Sequence, residues 1–174
     1  EAHGVPRLAL WPRGVDRCLF HPSRVSSAWR ADIARATAHT PVLLLVCRLR
    51  WEKGLDTFAR TVLALRAMDA LPFHTVVVGD GPARADLQNR LPFATFTGSL
   101  SGAALATAYA SSDVFLYPST TEGWGATCLE AQASGLPIVA TASSGVTDVV
   151  AHGTSGFLVA PSNVSALAAA AATL

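Results

Sequence analysis

Charge is scarce in this chain. Only 14% of its 174 residues are Asp, Glu, Lys or Arg, and the net charge is +1. The basic residues are scattered, with no stripe of cations interleaved with aromatics, so nothing marks a nucleic-acid partner. Cysteine is also sparse. Cys18, Cys47 and Cys128 are odd in number and far apart, which fits neither a zinc pair nor a closed disulfide framework, and a reducing compartment is the simpler expectation. Although 51% of the residues are hydrophobic, long apolar runs are missing. Tracts 41–47 and 165–174 stop short of the roughly 20 residues a spanning helix requires. Internal repeats and low-complexity linkers are absent, and the length suits one well-buried core, not two. The chain opens on Glu1 without a charged-then-apolar leader and closes on an alanine-rich helical pattern, so both ends read as cut. Asn163-Val164-Ser165 spells a glycosylation sequon, a motif short enough to arise by chance and relevant only to a secreted protein.

What the chain does have is alternation. From Pro41 onward, short apolar runs alternate with amphipathic stretches, the pattern of βα units in a parallel sheet buried on both faces. Strands are predicted over 42–46, 75–78, 95–97, 114–117, 138–141 and 156–159. Between the first two, Leu55, Phe58, Val62 and Leu65 recur at helical spacing while Asp56, Arg60 and Arg66 fall off that stripe. Further helices are expected over 83–90, 102–111, 126–133 and 164–173. The sum is an α/β, Rossmann-like three-layer domain with a mostly parallel sheet, entered through a strand and irregular chain in residues 1–40.

Ligands of such sheets bind beyond the carboxyl ends of the strands, so the loops there are where chemistry is expected. After the first strand, Cys47-Arg48-Leu49-Arg50-Trp51-Glu52-Lys53-Gly54 sets Arg48 and Lys53 just before a helix, where both can face an anion on its amino end. The same residues also read as a solvated basic loop. After the second strand, Gly79-Asp80-Gly81-Pro82 starts like a dinucleotide fingerprint but has Arg84 in place of the third glycine. It reads better as a tight structural turn, with Pro82 as the first residue of a helix. Gly98-Ser99-Leu100-Ser101-Gly102 offers backbone groups for a base edge, or a plain turn with a serine cap. After the fourth strand comes Glu122-Gly123-Trp124-Gly125-Ala126-Thr127-Cys128-Leu129-Glu130. Glycines before a helix let backbone N–H groups approach a phosphate. Glu122 in the loop and Glu130 on the second turn can then grip two parts of one extended ligand, each charged hydrogen bond from a sugar hydroxyl contributing roughly 1.5 to 3 kcal/mol. A hydrolytic carboxylate pair is the rival, disfavoured because phosphate-binding features lie between the two acids.

Taken together, Arg48 with Lys53-Gly54, the Gly79 turn, the Glu122-to-Glu130 segment and Ala133-Ser134-Gly135-Leu136-Pro137 resemble glycosyltransferase family 4. Arg13-Gly14-Val15-Asp16 and Phe20-His21-Pro22 resemble that family's junction between its two Rossmann-like domains. Within the family, the stretch from Trp11 to Asp16 looks most like mannosyltransferases and sulfoquinovosyl diacylglycerol synthases. The resemblance implies one half of a GT-B fold. Residues 1–40 would be the junction and 41–174 the donor-binding core, the amino-terminal acceptor domain being absent. It implies retaining transfer of a hexosyl group from a UDP- or GDP-linked donor to an acceptor alcohol, a lipid among the candidates. The expected location is the cytoplasm, peripheral on the cytosolic face of a membrane, and the isolated chain is expected to bind donor without transferring sugar. Arg48 and Lys53 would bind and stabilise the departing diphosphate, Glu122 the sugar hydroxyls and Glu130 the ribose. Gly98, Ser99 and Leu100 would lie near the base, with Gly123, Gly125, Ala126, Thr127 and Leu129 among the donor-binding residues. No cofactor is implied. No D-x-D sequence occurs, so no metal is expected, with cations and helix ends in its place.

This sequence departs from the family where Cys47 replaces a glycine before the arginine and where Trp124 and Cys128 fill the carboxylate segment. Two rival functions remain open at this point: a degenerate GT-B domain serving as a binding module, and a nicotinamide-dependent oxidoreductase, which Arg84 opposes.

Overall fold

The computed structural model describes residues 14–37, 39–68 and 72–174. The strands are β1 (Val42–Val46), β2 (His74–Val78), β3 (Thr95–Gly98), β4 (Val114–Tyr117), β5 (Ile138–Thr141) and β6 (Gly156–Val159). All pair in parallel, in the order β3-β2-β1-β4-β5-β6. The predicted strands are therefore present, with β2 and β3 each one residue longer than the apolar run suggested. Every residue of β1, β4 and β5 is buried, as continuous apolar runs under helices on both faces require. After β3 the chain crosses back over β1 to add β4. The loops following β1 and β4 therefore diverge and open a crevice at the carboxyl edge.

The helices are α1 (Ser27–Asp32), α2 (Leu55–Ala67), α3 (Arg84–Arg90), α4 (Gly102–Ala110), α5 (Ala126–Ala133), α6 (Ser144–Thr147) and α7 (Val164–Ala172). Helix α2 buries Leu55, Phe58, Val62 and Leu65 together with Ala59 and Thr61, and leaves Asp56, Arg60 and Arg66 exposed. It packs against α7. Asn163 caps α7, its Oδ1 accepting from Ala166 N and the Ser165 hydroxyl, both at 3.0 Å. Helix capping thus accounts for the residue pattern that read as a sequon. None of the helices among the described residues is long and apolar enough to cross a membrane.

Three expectations need correction. A strand and irregular chain were expected across residues 1–40; among the described residues of that stretch the structure has a 3-10 turn (Pro22–Arg24) and α1 and no strand, while residues 1–13, Trp11 to Arg13 included, lie outside the described residues. Ser26 caps α1 by accepting from Trp29 N at 3.1 Å. Arg30 then ties α1 down, reaching Ser111 O (2.8 Å), Asp113 Oδ2 (2.9 Å) and Thr40 O (2.7 Å). Second, Pro82 is not helical. Pro82 and Ala83 form a turn closed by Arg84 N on Gly81 O (3.0 Å) and held to the loop after β1 by Ala83 N on Leu49 O (3.0 Å), and α3 begins at Arg84 with Ala83 as its N-cap. Third, Ser101 precedes α4 but makes no side-chain cap.

The turn after β2 is pressed against the loop after β1. Gly79 has φ +131°, and a Cβ there would stand 1.9 Å from the Cys47 carbonyl oxygen. Gly79→Ala should therefore destabilise the fold by at least about 2 kcal/mol in urea denaturation. Gly14→Ala, where a Cβ meets nothing within 4 Å, should stay within about 0.5 kcal/mol of wild type.

Candidate functional site

A cleft of 310 Å³ opens at the carboxyl edge, and its lining includes Cys47 and Arg48 after β1, Asp80 after β2, Ser99 and Leu100 after β3, and Thr127 and Glu130 on α5. Arg48 is exposed. Among the described residues nothing holds its guanidinium by a hydrogen bond or ion pair, which leaves five N–H donors for a ligand. Helix α5 follows Gly125 (φ +60°) without a side-chain cap; Cys128 N donates to Gly125 O at 2.9 Å, and Ala126 N and Thr127 N, in the first turn, have no intrahelical acceptor.

Lys53, just before α2, reaches across to the loop after β4. Its Nζ lies 3.2 Å from Glu122 Oε2 and donates to Thr121 O at 3.2 Å. One of the ammonium's three donors remains. Loop contact makes this crossing possible: Gly54 (φ +73°) lies where a Cβ would stand 2.2 Å from Pro118 O. Glu122 Oε2 also accepts from the Tyr117 hydroxyl at 2.5 Å. Burial opposes the charge on Glu122, but the hydrogen bonds from Tyr117 and Lys53 and the ammonium's field outweigh it, and the carboxyl is held below its ordinary 4.5. From the far side, α6 supports the loop. Gly145 N donates to Glu122 O at 3.0 Å, and a Cβ on Gly145 would stand 2.5 Å from Trp124 N.

Glu130 is held differently. Its Oε2 accepts from the Tyr109 hydroxyl at 3.0 Å. Burial raises its pKa above 4.5, and the Tyr109 bond offsets this only in part. No cation forms an ion pair with it among the described residues. Thr127 sets its hydroxyl near the Tyr117 hydroxyl and the Cys128 thiol but meets no partner at hydrogen-bond geometry. Cys47 and Cys128 are buried free thiols, each pushed up to about 12 by burial and so neutral at physiological pH.

Arg48, Ser99, Leu100, Thr127 and Glu130 thus come together in one cleft. Lys53 and Glu122 form an adjoining pair, linked to it through Cys47, which lines the cleft and senses both charges. Gly98, Gly123, Gly125, Ala126 and Leu129 do not line the cleft; Gly98 and Gly125 (φ +77° and +60°) act by turning the chain. The Gly79 turn is structural, as read: Gly79 and Gly81 face the carbonyls of Cys47 and Leu49. Arg84 bonds Asp80 (3.0 Å) and Phe96 O (3.4 Å) across it. Sequence reasoning missed Tyr109 and Tyr117. The available signal was that fully buried tyrosines need a hydroxyl partner. Among the described residues, no group of three or more His, Cys, Asp or Glu is placed to hold a metal ion.

A parallel sheet covered by helices, with its charged side chains gathered at the point where strand order reverses, defines a Rossmann-like domain. Its relatives make the class narrower. The chain is 42% identical over 161 residues to a GDP-mannose-dependent alpha-mannosyltransferase of Mycolicibacterium smegmatis, an alignment covering 90% of this chain and 40% of that protein. It is 38% identical over 170 residues to the sulfoquinovosyl transferase SQD2 of Arabidopsis thaliana, covering 94% of this chain and 32% of the relative. Among solved structures, Anabaena HepE in complex with UDP-glucose superposes with a TM-score of 0.76 at 25% identity, over 90% of this chain and 44% of that one. The fold is that of the Rossmann-like halves of GT-B glycosyltransferases. Residues 40–174 match the family described as Glycosyl transferases group 1, and the chain belongs to that family. It spans well under half the length of these two curated relatives.

The two carboxylates should respond oppositely to neutralisation. Glu122, with its folded pKa lowered, contributes stability that is present above pH 4.5 and lost as pH falls through the folded value. Glu130, with its pKa raised, costs stability once it ionises, and that cost disappears on acidification. Near neutral pH, Glu122→Gln should lower the urea midpoint and Glu130→Gln should raise it. Both differences should shrink as the solution is acidified through the respective folded values.

Proposed function

We propose that this chain is the carboxy-terminal, donor-binding half of a retaining glycosyltransferase of family 4. In this reading it positions a GDP- or UDP-linked hexose for transfer to an acceptor hydroxyl, a lipid alcohol included, without a resident metal. The acceptor is held by an amino-terminal domain in the same protein, which acts at the cytosolic face of a membrane. The observation that carries the reading is the convergence of Arg48, Ser99, Leu100, Thr127 and Glu130 on one cleft, with the Lys53–Glu122 pair beside it.

In this assignment the leaving diphosphate gains charge as the glycosidic bond breaks. The unpaired Arg48 and the remaining N–H of Lys53 stabilise it there, in a site whose groups are already fixed in place. Glu122 accepts from hydroxyls of the donor sugar through the capacity that Lys53 and Tyr117 leave. Glu130, short of donors, accepts from the ribose diol, and the turn at Gly98-Ser99-Leu100 faces the base. With the acceptor domain missing, orientation worth roughly 7 to 11 kcal/mol is missing too, so the isolated chain binds donor without transferring sugar.

Calorimetric titration of the protein with GDP, UDP and NAD tests the site. GDP or UDP should bind at least about tenfold more tightly than NAD, with the affinity unchanged by chelator. Preferential binding of NAD, or a large loss of affinity with chelator, would refute the assignment.

In the full-length enzyme, Arg48→Ala and Lys53→Ala should each lower turnover by roughly 100-fold or more if they stabilise leaving-group charge, while binding of the uncharged nucleoside barely changes. Turnover close to wild type in both variants would return this loop to the role of a solvated surface.

A further inference from the structure

We infer that Tyr117 and Tyr109 are positioning residues, each fixing one carboxylate of the cleft, so that the sugar end and the nucleoside end of the donor are set by separate phenol–carboxylate pairs. The inference rests on the donor-binding reading above.

Both hydroxyls make the same bond. Tyr117, the last residue of β4, donates to Glu122 Oε2 at 2.5 Å; Tyr109, near the end of α4, donates to Glu130 Oε2 at 3.0 Å. A phenol has one proton to give, so each tyrosine is committed to its carboxylate. Burial pushes both phenols above their ordinary range, largely through lost solvation and then through the neighbouring carboxylates, which keeps them protonated as donors.

The rings themselves are held rigidly. Tyr109 and Tyr117 are 0% and 2% exposed, and Phe115 lies between them. The Tyr109 ring meets Phe115 edge-on at 5.6 Å, and Phe115 stacks on Tyr117 at 5.4 Å. A side chain packed in this way has no other rotamer to adopt, so its hydroxyl marks a fixed point for the carboxylate. Glu122 has a second anchor in Lys53, whereas Glu130 has none among the described residues. The two pairs lie on different elements and share no hydrogen bond, so removing either hydroxyl should disturb one end of the ligand.

Kinetics of the full-length enzyme carrying Tyr117→Phe or Tyr109→Phe test this, with each change also made in its Glu→Gln background. Phenylalanine keeps the ring and the packing. Tyr117→Phe is expected to lose at least about tenfold, more in kcat than in donor KM. Tyr109→Phe is expected to lose a similar factor, more in donor KM and in nucleoside diphosphate affinity than in kcat. Each loss should largely disappear in the matching background, Tyr117→Phe in Glu122→Gln and Tyr109→Phe in Glu130→Gln, because the bond being removed is already weakened there. Losses that spread equally over kcat and KM, or that add in full to those of the Gln variants, would reduce both tyrosines to packing and overturn the inference. If the Gln variants are impaired while the Phe variants match wild type, positioning fails and the donor assignment survives. If Glu122→Gln and Glu130→Gln are themselves silent, the donor assignment fails and this inference with it.

Discussion

Loops that carry the charges of the site touch one another backbone to backbone. A Cβ would come within 2.2 Å of the Pro118 carbonyl from Gly54, within 1.9 Å of the Cys47 carbonyl from Gly79, and within 2.5 Å of Trp124 N from Gly145. These contacts join the segments after β1, β2, β4 and β5 into one layer. A parallel sheet buried on both faces places polar chemistry at its edges, because the faces of β1 and β4 are filled with Val, Leu, Phe and Tyr. Charges separated by 69 residues in sequence, Lys53 and Glu122, can then lie within 3.2 Å. The side-chain geometry is a consequence of how closely the main chains approach.

Within that layer the fold treats its two carboxylates unequally. Glu122 gains an ammonium and a phenol and is stabilised as an anion. Glu130 gains a phenol alone and is left short of donors. A half-buried carboxylate held by one phenol costs stability when it ionises, and its remaining lone pairs open onto the cleft. Such local departures from stable design concentrate at functional sites.

The sheet was legible because its signal is local. Continuous runs such as Val42 to Val46 cannot be covered in any way other than burial on both faces, and the stripe of Leu55, Phe58, Val62 and Leu65 stated the face α2 would bury. The start of α3 was misplaced because Pro82 marks a helix start by propensity, while in the structure Pro82 and Ala83 belong to a turn closed by Arg84 N on Gly81 O, and the first i+4 bond runs from Leu87 N to Ala83 O. At the site, residue types and spacing singled out Arg48, Lys53, Glu122 and Glu130 as candidates, and the family resemblance supplied their expected roles. None of these could tell that Lys53 would reach across to pair with Glu122 in the loop after β4. Tyr109 and Tyr117 were hidden for a related reason: in apolar segments a tyrosine reads as core, and only the three-dimensional neighbour of its hydroxyl shows otherwise.

Cys47 illustrates how a side chain can replace glycine without disturbing the layer. Glycine is demanded where φ is positive or where a Cβ has no room, and among the described non-glycine residues only Arg35 and Ser162 have positive φ. Cys47 therefore has backbone geometry open to any residue. Room beside its carbonyl is supplied by Gly79 from the opposing turn, so the crowding that would forbid a side chain falls on residue 79 and not on residue 47. The thiol lines the cleft but, pushed up to about 12 by burial, carries no charge. It adds volume to the cleft lining and leaves the charge of Arg48 beside it unopposed by any charge of its own.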